Sequence, residues 1–283
     1  MLLIADSGST KTTWVLINED RSFGPWETIG LNPFFHDEQS ISGEIEKHLL
    51  PKIKEEVKKV SFYGSGCYNP ENSKKIRNAL QNVFPDSHID VDHDLLGASR
   101  SLCLDQPGIV CILGTGSSSC LYNGTEIIQN QTSLGYILGD EGSGAVMGMN
   151  LIKAYLYKKL PRELSLAFES IYPMDLFEIL NHVYMKPFPN RFLAKFAKFL
   201  YDHKDHDYVH EMILSHFSPF LKRNVIDYNR SDVSTHFLGS IAFHFKDFLS
   251  EACDNAGIIT GNITDNPIPG LTQYHRRLLN KSS

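Results

Sequence analysis

Two short segments built in the same way constrain the fold of this chain more than any other feature. Each is a buried apolar strand, a turn of small and hydroxyl residues, and a second apolar strand. The first turn lies within 6–13 and the second within 114–119. Apolar runs bounded by small residues are typical of strands in a sheet core. The repetition predicts a duplicated architecture, although the two halves share no sequence period.

The rest of the chain alternates helix and strand patterns, which is typical of α/β proteins. Helices are predicted over 41–59 (with Pro51 able to split it), 74–84, 95–104, much of 145–225, and 239–256. Further strands are predicted from 60, over 88–92, 109–113, 120–122, 126–129, 233–238 and 258–260, before a Pro/Gly turn and a short basic tail.

The chain has 283 residues, more than one core usually holds. We predict an N-terminal α/β domain over 1–105 that the C-terminal tail 266–283 joins. A second, larger α/β domain with a helical insertion is predicted over 106–265.

Composition excludes several classes of protein. A hydrophobic share of 42% and a charged share of 21% are ordinary for a globular chain. The net charge of -6 argues against nucleic-acid binding. Five cysteines without a C-x-x-C argue against a disulfide framework or a Cys-rich metal site. With no basic leader and no membrane-length apolar run, we expect a cytoplasmic protein that binds neither membrane nor nucleic acid.

Standard nucleotide-binding glycine motifs are absent. The chain has three G-x-G triplets, at 64–66, 114–116 and 142–144. The dinucleotide fingerprint needs a small residue five positions after the first glycine, and Asn69, Ser119 and Met147 stand there. No G-x-x-x-x-G-K-[ST] loop occurs either. Any nucleotide must therefore be held by the hairpins.

Four acidic residues, at three places in the chain, suggest chemistry, and each place has a plainer interpretation. Asp6 precedes a turn whose N–H groups suit an anion, so it can hold a hydrated Mg²⁺, but the stretch also fits a simple polar hairpin. Asp94 ends a strand and precedes a helix, as either a general base or a helix cap. Asp140 and Glu141 precede a glycine turn, where they suit sugar hydroxyls or a helix dipole.

A histidine series has the spacing of a metal site. His203, His206 and His210 lie three and four residues apart on a predicted helix. The charged residues between them favour a solvated helix face instead.

Five stretches, in order, resemble the motifs of one superfamily. Asp6-Ser-Gly-Ser-Thr-Lys-Thr and Gly114-Thr-Gly-Ser resemble the two phosphate hairpins of the sugar kinase, actin and heat-shock chaperone superfamily, and Leu238-Gly-Ser-Ile-Ala resembles its adenosine motif. Asp94-Leu-Leu-Gly-Ala and Gly135-Tyr-Ile-Leu-Gly-Asp-Glu-Gly-Ser-Gly resemble the N-acetylglucosamine kinase group and the related BadF-type ATPases. Together they span residues 2 to about 245. Ser7, Ser9 and Ser240 depart from the family, where glycine is common.

The resemblance implies a fold, an activity and cofactors. The fold would be α/β, with two ribonuclease H-like (actin-like ATPase) domains around a central nucleotide cleft. The activity would be an ATP-dependent phosphorylation of the C6 hydroxyl of an amino sugar, most simply N-acetylglucosamine, with ATP and Mg²⁺. The helical stretch 145–225 offers a surface for a homodimer.

The resemblance also implies a role for each matched residue. Asp94 would be the general base, and Asp6 would hold Mg²⁺ through water. ATP would be bound by Gly8, Ser9, Thr10, Lys11, Gly114, Thr115, Gly116, Ser117, Gly239 and Ser240. The sugar would be bound by Asn32, Ser65, Gly66, Asp94, Asp140 and Glu141. Lys11 equally fits a solvated turn lysine.

Three alternatives stay open. The first is a BadF-type ATPase that drives a partner protein, although that group uses cysteines for a shared iron–sulfur cluster. The second is a kinase for a related sugar, such as N-acetylmuramic acid, glucosamine or N-acetylmannosamine. The third is a sugar sensor without catalysis, which intact Asp6 and Asp94 disfavour.

Overall fold

The computed structural model describes residues 1–8 and 10–282, the last of these without its side chain, and divides the chain into two compact units. Unit 1 consists of Met1–Gln106, Asn123–Ile127 and Asn266–Ser283. Unit 2 consists of Pro107–Tyr122 and Ile128–Asp265. Each unit holds one five-stranded sheet with its own core.

The sheet of unit 1 has the order β3-β2-β1-β4-β5. In chain order, its strands are β1 (Leu2–Ser7), β2 (Lys11–Ile17), β3 (Ser22–Ile29), β4 (Lys59–Gly64) and β5 (His88–His93). β1, β2 and β3 pair antiparallel, whereas β4 and β5 run parallel to β1. The parallel strands therefore end at one edge, which is where ligand sites form in such sheets.

The helices of unit 1 cover both faces of this sheet. They are α1 (Glu38–His48), α2 (Pro70–Val83), α3 (Asp94–Leu102) and α13 (Ile268–Ser282). Alternate residues of β1 point to opposite faces, so Leu3 packs with α1 and α2 while Ile4 packs with Leu271 of α13. Burial on both faces explains why β1 is a continuous apolar run.

Unit 2 repeats the strand order of unit 1. Its strands are β6 (Gly108–Leu113), β7 (Ser117–Tyr122), β8 (Ile127–Asn130), β9 (Thr235–Leu238) and β10 (Thr260–Thr264). The order β10-β9-β6-β7-β8 places the first hairpin strand centrally, with two later strands parallel on its other side, as in unit 1. The predicted duplication is confirmed at the level of topology.

The helices of unit 2 form most of its core with the sheet. They are α4 (Gly135–Leu138), α5 (Gly144–Leu156), α6 (Arg162–Ile171), α7 (Leu176–Tyr184), α8 (Pro189–Ala194), α9 (Ala197–Asp202), α10 (Asp207–Asn224), α11 (Ser240–His244) and α12 (Lys246–Asn255). No helix in the described part of the chain is long and apolar enough to cross a membrane.

Several sequence predictions need correction. The helix predicted over 41–59 ends at His48 and gives way to a short 3-10 turn at Leu50–Lys52, because Pro51 has no N–H to continue the ladder. The helix predicted over 239–256 is two helices, α11 and α12. The closing strand begins at Thr260 rather than at 258. The predicted Pro/Gly turn and tail is mostly the helix α13.

Candidate active site

Three segments of unit 1 meet at the carboxyl edge of its sheet. The ladder aligns Ser7 with Gly64, and Gly64 with His93. The residues that follow the three strands therefore start from the same edge. The Ser65 amide donates to the Ser7 carbonyl at 2.8 Å, which ties the second segment to the first. Asp94, next after His93, is the first residue of α3.

The first turn (residues 8–10) connects β1 to β2. The Gly8 amide donates to the Lys11 carbonyl at 3.0 Å and closes the turn. Gly8, Thr10 and Lys11 are exposed. Ser9, predicted to contact phosphate, lies outside the described residues. The Lys11 ammonium pairs with Glu27, whose carboxylate is also exposed, as expected for a solvated turn lysine.

Two carboxyl groups of unit 1 lie close enough for their charges to interact. Burial, together with the neighbouring Asp94 charge, raises the pKa of Asp6 to about 7. Burial also raises the pKa of Asp94, against the opposing effect of His93. A buried carboxylate with a raised pKa is a stronger base than a solvated one. The pair is also an electrostatic environment that would favour a cation.

The surroundings of Asp94 distinguish it from its neighbour Asp92. Asp94 Oδ1 accepts the Leu95 amide at 2.9 Å, and within the described residues it has no salt bridge. Asp92 pairs instead with Arg100 at 3.2 Å. The helix-cap interpretation of Asp94 needs correction, because His93 is the N-cap of α3 and Asp94 is already helical.

The predicted sugar-side loops of unit 1 also come together. Asn32 is buried, and its Oδ1 accepts the Phe34 amide at 2.9 Å. A Cβ at Gly66 would lie only 2.8 Å from that Oδ1, so Gly66 allows the two loops to touch. Ser65 and Gly66 are half-buried. The described structure therefore gathers Asp6, Asn32, Ser65, Gly66 and Asp94 around one sheet edge.

The second turn (residues 114–116), in unit 2, is held by backbone contacts. The Gly144 amide donates to the Gly114 carbonyl at 2.8 Å, and the Ala145 amide donates to the Thr115 carbonyl at 3.1 Å. The Ser117 hydroxyl donates to the Glu141 carbonyl at 2.7 Å. The second turn and the stretch that leads into α5 thus form one assembly.

Asp140 and Glu141 lie against this turn. A Cβ at Gly116 would be 2.9 Å from Asp140 Oδ2. The pKa of Asp140 is raised by burial and by Glu141, while a hydrogen bond from the Ser117 amide opposes the shift. The Glu141 carboxylate pairs with Arg223 at 3.3 Å. Asp140, Glu141, Ser117 and Arg223 line one small polar pocket.

Gly239 and Ser240 follow β9 at the corresponding edge of the second sheet. Ile112 aligns with Leu238, so Gly239 starts beside the end of β6. Its φ of 120° and the 2.4 Å that would separate a Cβ from the Leu113 carbonyl require glycine. Ser240 is exposed and begins α11.

Sequence reasoning missed several supporting residues. His216 of α10 is buried against the Gly142 and Ser143 backbone, and burial lowers its pKa to about 4. Arg223 belongs to the same helix. Neither stands in a recognisable motif, because their contacts form only when α10 packs. The predicted alternative of a histidine metal site has no support: no metal-binding cluster occurs in the described residues, and His206 pairs with Glu163.

Comparison with known proteins identifies the family. No protein-family model matches the chain, and no curated protein sequence matches it. A solved structure of a provisionally named N-acetylglucosamine kinase from Porphyromonas gingivalis is 44% identical, with a TM-score of 0.94 over 98% of this chain and 99% of that one. The chain belongs to the N-acetylglucosamine kinase-like family. The predicted superfamily and fold class are confirmed.

Two more distant structures share the fold of this family. A provisionally named N-acetylglucosamine kinase from Chromobacterium violaceum is 16% identical with a TM-score of 0.74 over 96% of this chain and 98% of that one. A ROK family glucokinase from Streptomyces griseus, in complex with glucose and AMPPNP, is 11% identical with a TM-score of 0.53 over 99% of both chains. The prediction of an ATP-dependent sugar kinase agrees with membership of the N-acetylglucosamine kinase-like family.

Proposed function

We propose that this protein transfers the γ-phosphoryl group of ATP to the C6 hydroxyl of an amino sugar, most simply N-acetylglucosamine. The 44% identity to a provisionally named N-acetylglucosamine kinase, over nearly the whole of both chains, carries the proposal. The gathering of Asp6, Asn32, Ser65, Gly66 and Asp94 at one sheet edge supports it. Free ATP and sugar as substrates suit a cytoplasmic enzyme.

Asp94 is the proposed general base. It stands at the carboxyl edge of the sheet, half-buried, and the Leu95 amide holds one of its oxygens in place. Its raised pKa gives the carboxylate more affinity for the proton of the sugar hydroxyl. Asp92, paired with Arg100, has no comparable role.

Phosphate binding is assigned to the two turns, because phosphoryl transfer depends mainly on positioning and charge stabilisation. In the first turn, Gly8 would let a phosphate approach the backbone closely, since its own amide is bonded to the Lys11 carbonyl. Thr10, with Ser9 before it in the sequence, would donate to phosphate oxygens. In unit 2, the Thr115 and Gly116 amides would donate to phosphate oxygens, while Gly114 and Ser117, whose donors are engaged within the protein, would shape the turn. Gly239 and Ser240 would contact the nucleoside end. Asn32, Ser65 and Gly66, together with Asp140 and Glu141, would bind sugar hydroxyls.

The acidic pair fits a magnesium ion bound mostly through water. Within the described residues no group of three or more His, Cys, Asp or Glu side chains forms a metal cage. Mg²⁺ suits such a site, since it keeps several waters and binds through one or two carboxylates and substrate phosphates. Asp6 would hold it. When bound, the ion neutralises charge on the phosphate oxygens.

The cysteines do not favour the cluster-bearing ATPase as an alternative. All five are buried, and burial raises the pKa of Cys67 to about 12. Burial likewise raises the pKa of Cys111. Iron–sulfur clusters are held by thiolates, which this burial disfavours.

The test is ADP release from ATP and Mg²⁺ across a panel of sugars, with Asp94→Asn beside wild type. We expect one N-acylated sugar to stimulate turnover, and Asp94→Asn to lower kcat about 100- to 10,000-fold, the usual contribution of a general base. Asp92→Asn is the matched control and should keep most of the activity. Slow hydrolysis that no sugar changes would contradict the kinase proposal and would direct attention to a partner protein.

A further inference from the structure

We propose that the buried hydroxyls of Ser7 and Thr12 form a positioning device that fixes the predicted sugar loop (residues 30–32) to the first turn. The inference rests on the proposed function. It assigns these two residues to sugar affinity, although both stand in a motif that resembles a phosphate hairpin.

The two hydroxyls form a closed hydrogen-bond network. Ser7 Oγ and Thr12 Oγ1 lie 2.8 Å apart, and Thr12 Oγ1 donates to the Ile29 carbonyl at 2.9 Å. Because the Thr12 proton is used there, Ser7 supplies the proton between the two hydroxyls. The Leu31 amide donates to both oxygens, at 3.1 Å and 3.2 Å. Every proton in the network has an acceptor.

Burial excludes these hydroxyls from direct contact with a nucleotide. Ser7 is 1% exposed and Thr12 is 0% exposed. By contrast, Gly8 and Thr10 are exposed between them in the turn. Residues of this motif therefore have two roles. The exposed Gly8 and Thr10 are accessible to a ligand, and the buried Ser7 and Thr12 hold the neighbouring loop.

The anchored loop leads directly to the predicted sugar contacts. Leu31 precedes Asn32, whose Oδ1 approaches Gly66. The Gly30 amide donates to the Thr10 carbonyl at 3.0 Å, so the loop is tied to the turn at a second point. The Ser7 carbonyl also accepts the Ser65 amide. Both sugar-side loops of unit 1 are thus anchored on the Ser7 end of β1.

Glycine is common at the position of Ser7 in the family that the motif resembles, and glycine lacks this hydroxyl. The chain therefore has a hydroxyl support for residues 30–32 that a glycine at position 7 would not provide. We expect loss of the support to loosen the loop and weaken sugar binding. The bond from the Gly8 amide to the Lys11 carbonyl, which closes the first turn, lies outside the network, so the turn should keep its geometry.

The test compares Thr12→Val, which removes the hydroxyl at nearly constant shape, with Thr12→Ser, which keeps it. Thr12→Val removes all three hydrogen bonds of this hydroxyl. It should raise KM for the sugar about tenfold, which corresponds to about 1.4 kcal/mol, and leave KM for ATP within about twofold. Thr12→Ser should restore the wild-type KM. Ser42→Ala is the matched control, because it removes a buried hydroxyl that donates to Ala79 elsewhere in unit 1.

Hydrogen exchange supplies a readout that does not depend on turnover. In Thr12→Val the amides of residues 29–34 should exchange faster than in wild type, while the rest of unit 1 stays unchanged. If Thr12→Val does not fold, Ser7→Gly removes one of the two acceptors of the Leu31 amide and should show the same changes at smaller size.

The outcomes separate this inference from the proposed function. A wild-type protein without sugar-stimulated ADP release overturns the proposed function, and the sugar role of the network with it. An active wild type in which Thr12→Val leaves the sugar KM unchanged, or raises both KM values equally, overturns the positioning role alone.

Discussion

The two turns share a sequence pattern but differ in what holds them. The first turn is closed by the backbone bond from Gly8 to Lys11, and the buried hydroxyls of Ser7 and Thr12 at its base bind the Leu31 amide of the neighbouring loop. The second turn is fixed mainly through its own carbonyls, which accept the Gly144 and Ala145 amides. Side-chain support is lost when the residue that supplies it is replaced, whereas bonds to backbone carbonyls survive a change of side chain. Substitution of the hydroxyl residues should therefore be tolerated less well at the first turn, in unit 1, than at the second turn, in unit 2.

The carboxylates beside the turns differ as well. Asp6 lies near a second carboxyl group in unit 1, and its pKa rises to about 7. Asp140 also has a neighbouring carboxyl group, Glu141, but it accepts the Ser117 amide, which offsets part of the effect of burial on its pKa. The described residues thus do little to stabilise the negative charge of ionised Asp6. Such an environment is expected at a site that binds a cation.

Among the variants that test this comparison, Asp6→Asn should change activity and stability most. A folded pKa above the unfolded value of 3.8 means that the native state binds more protons between pH 4 and 7. The carboxyl therefore costs stability as the pH rises through that window, and above about pH 7 the cost is complete. At pH 8 we expect Asp6→Asn to raise Tm while it lowers kcat on the order of a hundredfold.

Asp90→Asn is the control for this result. Hydrogen bonds and charges of Lys59 and His88 lower the pKa of Asp90 despite partial burial, so its ionised form stabilises the fold. Its side chain is 39% exposed, so we expect a loss below about 1 kcal/mol at pH 8. Calorimetric scans at pH 5 and pH 8 measure both variants. A lower Tm of Asp6→Asn at pH 8 would contradict the electrostatic account.

The paired variants Thr12→Val and Thr115→Val test the difference in support directly. Thr12→Val removes the shorter of two hydroxyl bonds to the Ile29 carbonyl, together with the acceptor for Ser7, and should cost about 1–3 kcal/mol of unfolding free energy. At Thr115 the backbone carbonyl, rather than the side chain, accepts the Ala145 amide that holds the turn. Thr115→Val should therefore change the free energy of unfolding by less than about 0.5 kcal/mol. Denaturant unfolding of both proteins gives the comparison. Equal losses would show that the two turns are supported alike.

Sequence patterns predicted the parts of the fold that depend on local composition. The two strand–turn–strand segments and the alternation around them were enough to predict two similar sheets, because buried strands and small-residue turns are visible in the chain itself. β3 was missed, since Gly24 and Pro25 interrupt its pattern and most of its residues are exposed. α13 was missed because Pro269 and Gly270 suggest a turn. Its apolar residues Ile268 and Leu271 pack against one face of the sheet, a contact that the local sequence does not reveal.

In the candidate site too, some residues could be predicted from the sequence and others could not. Asp6, Asp94 and the glycine turns were found because their residue types at strand ends are themselves the signal. The hydroxyl network was not found, because Ser7 and Leu31 are 24 residues apart and nothing in either stretch points to the other. Arg223 is similar, since its pairing with Glu141 spans 82 residues. Contacts of that range depend on the packed fold.

Substitution of Lys11 should change stability and KM for ATP least. It tests whether the lysine of the first turn contributes its positive charge to phosphate binding. Its ammonium pairs with Glu27, and the side chains are 61% and 58% exposed. Exposed pairs contribute at most about 1 kcal/mol and are screened by salt. Lys11→Met and Glu27→Gln should therefore lower stability by the same small amount, less so in high salt, and leave KM for ATP within about twofold. A large rise in that KM for Lys11→Met alone, with a fall for Glu27→Gln, would show that Glu27 competes with phosphate for the lysine. The first turn would then hold its ligand partly by charge, whereas the second turn, Gly114-Thr-Gly116, contains no charged residue.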